Sequence, residues 1–323
     1  MRFRPTEQRD LAICRTLINP DLGLTQSVLC RIVDIWEGLI SGGTSAVIED
    51  PALRYPESIQ GFGLSAFVAD EFVEEFLASR RGHLDAAFYE RVVEGRSPVL
   101  APVDVGRANR AGALNLVVLN FSLRHDMADP RTERVMQAAS AAFYILHAGY
   151  RLRILLNEVI GVQAAQYMKS GGFRLVDVAG PGADRESPLA AERRPYLFAL
   201  RREWIAPGAV HPLAALFHSP TPRLGFSAAE QRVLFQALLN ASDAEIAASL
   251  GLSLDGVKKT WRRVYDRVSR RLPYLFAADA PMGSAQRGAE KRRHLLEYLR
   301  AHLEEVRPWS ASRSQRRGRR PAP

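Results

Sequence analysis

Residues 224–272 read LGFSAAEQRVLFQALLNASDAEIAASLGLSLDGVKKTWRRVYDRVSRRL, and their helix signals organise our interpretation of the whole chain. Two serines are each followed three residues later by a glutamate, the capping-box pattern of a helix start. These pairs are Ser227 with Glu230 and Ser242 with Glu245. Ser253 can cap a third helix, and the short break before it contains Gly251, which suits the left-handed backbone that ends a helix. Two short helices joined by so tight a turn predict a helix-turn-helix.

The third of these helices is strongly amphipathic. Its apolar residues recur at spacings of four, three and four, which predicts one buried stripe. The stripe comprises Val257, Trp261, Val264 and Val268. Seven cations lie between Lys258 and Arg271, against the single acid Asp266. Such a face is typical of a solvated helix, but it also suits the phosphates that line a DNA major groove.

The spacing S-x-x-x-V-K-x-x-x-x-x-V, which starts at Ser253, resembles the LuxR-type (GerE-like) helix-turn-helix of bacterial transcription regulators. The resemblance covers about fifty of the 323 residues. Gly256 and Thr260 depart from the family, which usually has Thr and then His or Asn at these positions. By this resemblance the base-reading residues are Lys258, Lys259 and Arg262, and Arg263 and Arg267 contact the DNA backbone. Ser242, Ser253 and Thr260 complete the predicted DNA-binding set.

The N-terminal part has a different pattern, with strands that alternate with helices. Residues 115–123, NLVVLNFSL, form a nearly continuous apolar strand of the kind that is buried on both faces. We therefore predict an α/β domain with a mixed sheet. The order of elements over residues 115–201 and the segment YMKSGGF at 167–173 resemble the GNAT acetyltransferase fold. An extra glycine in YMKSGGF departs from that family, and Asn157 is too far from Tyr167 to fill its usual asparagine position.

The turn that this resemblance assigns to coenzyme A binding is unusual. Acetyltransferases hold the pyrophosphate on backbone amides of a glycine-rich turn at a helix start. Residues 124–131, RHDMADPR, contain no glycine, two carboxylates and a proline without an N–H. We therefore interpret the fold as GNAT-like with a degenerate acyl-CoA site. Tyr167 is either a general acid or a packed helix tyrosine.

Charge and cysteine content bound the function further. Residues 223–323 contain 20 Lys plus Arg against 10 Asp plus Glu, whereas the rest of the chain has 24 against 25. This asymmetry is typical of a neutral domain joined to a nucleic-acid module.

Cys14 and Cys30 lack metal-ligand spacing, so we expect neither a disulfide framework nor a metal. No apolar run reaches the length of a membrane span and no signal peptide is evident, so we expect a cytoplasmic protein without a membrane partner.

We divide the chain into an α/β sensor-like domain at 1–205, a proline-containing linker at 206–223, and an all-α helix-turn-helix domain at 224–306 with an extra C-terminal helix. A basic, disordered tail follows at 307–323. The apolar stripe of the extra helix either packs within the chain or forms a dimer contact. It comprises Leu295, Leu296, Leu299, Leu303 and Val306.

These observations predict a cytoplasmic bacterial transcription regulator of the LuxR family, a homodimer that binds double-stranded DNA. Its N-terminal domain would sense an unknown small-molecule ligand, and we expect no catalytic residue, no cofactor and no enzyme activity. The alternative is an acyl-CoA-dependent acyltransferase with an accessory DNA-binding domain. A third hypothesis, an acyl-homoserine-lactone receptor, lacks the expected pocket motif, because Trp36 and Trp204 have no partner motif.

Overall fold

The computed structural model describes residues 1–79, 82–127, 129–178, 191–208, 211, 213–276 and 284–309. Contacts divide the chain into two compact units: unit 1 is Met1–His147 with Arg151–His218, and unit 2 is Ala148–Tyr150 with Ser219–Pro323. The predicted basic tail falls from residue 310 onward outside the described residues. No helix among the described residues is both long enough and apolar enough to cross a bilayer.

Unit 1 is built on one seven-stranded sheet with helices on both faces. Its strands are β1 Arg2–Pro5, β2 Ser45–Glu49, β3 Ile59–Val68, β4 Leu114–Leu123, β5 Leu152–Ile160, β6 Arg174–Val178 and β7 Pro195–Arg201. Its helices are α1 Leu11–Thr16, α2 Gln26–Ile40, α3 Asp70–Ser79, α4 Leu84–Val93, α5 Pro102–Ala111, α6 Pro130–His147 and α7 Val162–Ser170. The predicted mixed α/β sheet is confirmed.

The strand order is β1-β2-β3-β4-β5-β7-β6. Pairing is antiparallel except between the central strands β4 and β5, which are parallel because α6 crosses over between them. Strands β6 and β7 follow α7, and β7 lies beside β5. This order contains one central parallel pair, and from β4 to β7 it follows the succession of strands and helices that the sequence predicted.

The main core lies between the sheet and helices α1 to α4. It is almost entirely apolar, with Trp36, Phe62, Phe72 and Phe88 among its largest buried side chains. Helix α6 packs on the opposite face against β1, β2 and β3, and α7 packs against β5 and β6. The sheet is thus covered on both sides, which explains why β4 is apolar at nearly every position.

Two elements of unit 1 were not predicted from sequence. Strand β1 is charged, and Arg4 in it binds the buried Asp10, with 2.6 Å between Nη1 and Oδ2. Its register with β2, rather than any apolar alternation, holds it in the sheet. Helix α5 begins at Pro102 and ends at Gly112 in the left-handed conformation, but its low apolar content hides the helical period.

Unit 2 contains four helices in its described part. They are α8 Ala228–Leu238, α9 Asp243–Leu250, α10 Leu254–Arg271 and α11 Ser284–Ala301. Both predicted capping boxes form, with Ser227 and Glu230 at α8 and Ser242 and Glu245 at α9. Gly251 ends α9 with a φ of 63°, a left-handed conformation that glycine adopts without strain.

The apolar stripe of α11 packs inside unit 2. Leu295 and Leu299 are fully buried, and Leu303 and Val306 are nearly so. Helix α11 packs against α8, and Arg292 ties it to α9 through Asp243, with 2.8 Å between Nη1 and Oδ1. The prediction of a homodimer through this stripe is therefore wrong, because its leucines are already covered by the chain's own helices.

Candidate functional site

The central strands β4 and β5 part before either of them ends. Their parallel register runs from Leu114 with Leu152 to Val118 with Asn157 and goes no further. β4 continues to Leu123 by pairing with β3, and β5 continues to Ile160 by pairing with β7. The edges of residues 119–123 and 158–160 that face each other thus form no ladder. Such an opening at the carboxyl ends of parallel strands is where α/β sheets bind ligands.

Asn120 lies on β4 within this opening. Its side chain is nearly buried, and Oδ1 accepts a hydrogen bond of 3.2 Å from the Ser122 hydroxyl. The Nδ2 group is buried and has no hydrogen-bond partner in the described part of the chain. A buried amide donor without an acceptor is costly, and such groups are rare in folded proteins. A ligand carbonyl could therefore accept a hydrogen bond from the Asn120 Nδ2 group.

Helices α6 and α7 approach each other over the face that Asn157 shares. Val118 and its register partner Asn157 lie on this face, whereas a bulge beside Leu119 in β4 places Asn120 opposite the core residue Leu64, on the face that α1 to α4 cover. Asn157 contacts α7, with 3.4 Å between its Nδ2 and the Met168 sulfur. Tyr167 of α7 joins α6 through Ser140, with 3.2 Å between the two hydroxyl oxygens. The phenol of Tyr167 is therefore accessible and fixed by a polar neighbour.

Glu158, the next residue of β5, lies on the opposite face. Its Oε2 accepts hydrogen bonds from the backbone amides of His83 (2.8 Å) and Leu84 (3.1 Å) at the start of α4. Glu158 thus caps a helix that lies about seventy residues away in sequence. The positive end of the α4 dipole favours a carboxylate here.

A second carboxyl group, Asp85, lies in the first turn of α4. Burial raises its pKa well above the usual range, and the neighbouring Glu158 raises it further. Burial and Asp85 also raise the pKa of Tyr89, whose hydroxyl accepts a 2.8 Å hydrogen bond from the Trp36 indole. Two carboxyl groups in one buried environment separate into a proton holder and a proton acceptor. Burial favours the neutral form of Asp85, and the amides at the start of α4 favour the charge on Glu158.

His83 lies two residues before Asp85 and donates its backbone amide to Glu158. It adopts a left-handed backbone with a φ of 68°, which is uncommon for a residue other than glycine. Its Nδ1 is buried without a hydrogen-bond partner among the described residues. Gly23 leaves room for the ring, because a Cβ there would lie 2.7 Å from Nδ1. The local strain and the unsatisfied nitrogen are both typical of a ligand site.

The loop after β4 is closed by its own side chains. Asp129 Oδ1 accepts a hydrogen bond from the Arg131 amide (2.8 Å), and Asp126 Oδ1 accepts one from the Asp129 amide (3.0 Å). The Arg131 side chain holds the pKa of Asp129 below its usual range. Arg124 turns away, with 2.6 Å between its Nε and the Ile59 carbonyl oxygen. The predicted degenerate turn therefore places a carboxylate–arginine pair where α6 begins.

The residues predicted to bind DNA all lie in unit 2. Ser242 and Ser253 cap α9 and α10, and Lys258, Lys259, Arg262 and Arg263 are exposed on α10. Thr260 is buried, and its hydroxyl donates to the Gly256 carbonyl at 3.0 Å. Arg267 is half-buried.

Sequence reasoning missed Asn120, Glu158, Asp85 and His83. The one signal available was a polar residue within each apolar strand, Asn120 in β4 and Glu158 in β5, because a fully buried strand has no reason to carry them otherwise. Tyr167 and Asn157, which the sequence analysis did consider, lie on α7 and at the last register pair of β4 with β5.

Solved structures match the chain over 62% of its length. An arylalkylamine N-acetyltransferase like 5b from mosquito is 10% identical, with 98% of that chain covered and a TM-score of 0.37. An agmatine N-acetyltransferase variant is 14% identical, with 98% covered and a TM-score of 0.36. A GNAT-like decarboxylase in complex with isobutyryl-CoA is 13% identical, with 99% covered and a TM-score of 0.32. These identities concern the fold alone. No protein family and no curated protein matches the sequence.

The comparisons correct the predicted function. The matched proteins are acetyltransferases and a related decarboxylase, so the prediction of a LuxR-type transcription regulator without enzyme activity is wrong, as is the predicted double-stranded DNA partner. The reason that the sequence misled is partly electrostatic. Lys259 pairs with Asp255 (2.8 Å between Nζ and Oδ2) and Arg267 with Glu230 (3.2 Å between Nη2 and Oε2). A count of cations along one helix overestimates the charge that such pairs leave available to a polyanion.

Proposed function

We propose that unit 1 is an acyltransferase that moves an acyl group from a pantetheine thioester, the reactive arm of acyl-CoA, to an acceptor amine. The observation that carries this proposal is the opening between β4 and β5, with the unpartnered Asn120 amide inside it. An opening bounded by two strand edges suits an extended, amide-bearing chain, which can pair with the edge as an added strand. The pantetheine arm is a chain of this kind.

The donor side of the reaction is supported by Asn120 and Tyr167. The Asn120 Nδ2 group can donate to the thioester carbonyl and to the oxyanion that develops from it. Tyr167 can supply a proton, since its exposed phenol sits beside the Ser140 hydroxyl. Asn120 lies on the sheet face that Glu158 also occupies, and Tyr167 belongs to α7, which packs on the other face with Asn157.

The acceptor side is supported by Glu158, on the face of β5 that α4 covers. Glu158 offers a carboxylate acceptor, and the buried Asp85 keeps its own proton and so adds no second negative charge. An ammonium group that approaches this face would be attracted by the Glu158 charge. The ammonium first loses one proton to solvent, and Glu158 then takes the second proton, which the nitrogen loses as it attacks the acyl carbon.

The reaction balances with these groups alone. The amine nitrogen forms a bond to the acyl carbon while its proton passes to Glu158, and the tetrahedral oxyanion accepts from Asn120. The carbon–sulfur bond then breaks, and the leaving thiolate takes the Tyr167 proton. Proton exchange with solvent restores both side chains. The products are an amide and a free pantetheine thiol.

The test is amine-dependent release of free thiol by the full-length protein. Acetyl and longer acyl thioesters are offered with arylalkylamines, polyamines and amino acids, and a thiol reagent follows the reaction. We expect Glu158→Gln to lower kcat/KM by about 100-fold or more, because a positioned general base contributes on this order. The pH dependence that reports the base should disappear in the same variant.

Glu49→Gln is the matched control, since Glu49 is a buried strand glutamate away from the opening. It should retain its activity wherever it remains folded by circular dichroism. Glutamine keeps an oxygen acceptor for the α4 amides, so loss of activity in folded Glu158→Gln isolates proton transfer. The absence of amine-dependent thiol release from every donor would contradict the proposal.

For unit 2 we propose a helix-turn-helix arrangement of α9 and α10. The support is the serine cap at each helix start and the left-handed Gly251 in the short turn between them. We also propose a cytoplasmic setting, supported by two free cysteines, Cys14 buried and Cys30 exposed. Unit 2 has no role in the chemistry proposed for unit 1.

A further inference from the structure

The start of α6 offers almost no free amide to an anion. Across four consecutive positions, Asp129 N donates to Asp126, Pro130 has no N–H, Arg131 N donates to the Asp129 carboxylate, and Thr132 N donates to the Asp129 carbonyl oxygen at 2.9 Å. The Thr132 hydroxyl is also engaged, at 2.7 Å from the Asp126 carbonyl oxygen.

A carboxylate–arginine pair already occupies this helix start. Asp129 is ionised across the physiological pH range because the Arg131 side chain hydrogen-bonds to it. A pyrophosphate that approached the same dipole would have to displace this carboxylate and take over its arginine. Arg124, the other nearby cation, already donates to main-chain carbonyls of Ile59 and Pro56.

The opening between β4 and β5 shows the opposite character. Its two strand edges form no ladder with each other, and the Asn120 Nδ2 group has no hydrogen-bond partner among the described residues. The site is therefore complementary to the amide-bearing arm and the thioester, and the loop beside it is not complementary to a nucleotide pyrophosphate.

We infer that the donor is recognised through its acyl-pantetheine arm and not through the 3′-phosphoadenosine diphosphate part of coenzyme A. This inference rests on the proposed acyl transfer and names its donor class: S-acyl pantetheine thioesters, whatever carrier they are attached to. The carboxylates of Asp126 and Asp129 act as specificity residues, since they occupy the amides that a pyrophosphate would need.

The first experiment compares acyl-CoA with the same acyl group on free pantetheine, using the full-length protein. We expect the two kcat/KM values to agree within about tenfold. One charge-assisted hydrogen bond to the nucleotide would change their ratio by about this factor, and the start of α6 has none to offer. Adenosine 3′,5′-bisphosphate should not compete. A preference for acyl-CoA of about 100-fold or more, or competition by the nucleotide, would overturn the inference.

The second experiment removes the Asp129 carboxylate from the loop before α6. Asp129→Gly should raise the acyl-CoA to acyl-pantetheine ratio by about tenfold, because it frees the Arg131 amide and side chain for phosphate. Ser242→Gly removes a helix cap in unit 2 and should leave the ratio unchanged. An unchanged ratio in Asp129→Gly would overturn the assigned role of this carboxylate. Absence of transfer from both donors contradicts the proposed function instead, so the two failures are distinguishable.

Discussion

At the scale of single residues, the candidate site depends on buried polar groups of β4, β5 and the start of α4, and two of these residues, Asn120 and His83, carry an atom with no hydrogen-bond partner among the described residues. Asn120 keeps an unused donor and His83 an unused ring nitrogen, while Glu158 and Asp85 share one environment. Each of these arrangements costs folding free energy, since buried polar groups are normally satisfied. Their coincidence at one end of two adjacent strands is what distinguishes this region from the rest of the core.

Tyr167 provides a test of the donor side. We expect Tyr167→Phe to lower kcat by about 10- to 100-fold while KM for the thioester changes little, because the phenol acts on the leaving thiolate. Tyr144→Phe is the matched control, since Tyr144 is an α6 tyrosine of similar exposure, 39% against 43% for Tyr167. Equal rates for both variants and the wild type would remove Tyr167 from the mechanism.

Asp85 predicts the direction of a pH effect on stability. Its pKa in the folded state is raised by burial and by Glu158, so between about pH 4 and that raised pKa the folded state binds a proton that the unfolded state has lost. The Asp85 contribution to stability therefore falls as the pH rises through this window.

We expect Asp85→Asn to be more stable than the wild type at pH 7 by about 1–3 kcal/mol, with the difference vanishing below about pH 4. Urea unfolding at several pH values measures it. Asp104→Asn, which changes an exposed acid in the first turn of α5, should show no such pH dependence. A variant that is less stable than the wild type at pH 7 would show that Asp85 is charged in the folded state.

At the scale of elements, the position where β4 and β5 part decides what the sheet can bind. Each strand leaves the other for an outer neighbour, β4 for β3 and β5 for β7, so the opening costs few hydrogen bonds. The helices that follow these strands, α6 and α7, both start at this end. The α6 start is occupied by Asp129, which limits the kind of ligand that the opening can accept.

The stripe of α11 gives a prediction at the same scale. Because Leu299 is fully buried within unit 2, we expect Leu299→Asp to lower the free energy of unfolding by about 3 kcal/mol or more. Leu252→Asp is the control, since Leu252 is 43% exposed and should tolerate the change. Circular dichroism and urea unfolding measure the loss. A folded, monomeric Leu299→Asp variant from a dimeric wild type would contradict the packing described for α11.

At the scale of the whole molecule, the chain combines two units of different composition. The excess positive charge lies in residues 223–323, which belong to unit 2, whereas the sheet and the candidate site belong to unit 1. The charge asymmetry that suggested a nucleic-acid module is real. It did not identify the partner, because several of these cations are paired with carboxylates of the same unit.

The sequence by itself determined the local features. The capping boxes of α8 and α9, the left-handed Gly251 and the apolar strand β4 all follow from patterns within a few residues, because backbone capping and side-chain periodicity act over one or two turns. The carboxylates and the proline of the loop before α6 could be recognised from the sequence in the same way.

Only the tertiary structure decided the site. Glu158 meets His83 and Leu84 across 75 and 74 residues, and strand register places the buried Asn120 in the part of β4 that no longer pairs with β5. Strand register and helix docking set such contacts, and both depend on packing between distant segments that local patterns do not encode. The packing of Leu299 inside unit 2 was decided in the same way, since an apolar stripe is equally suited to a partner subunit or to its own core.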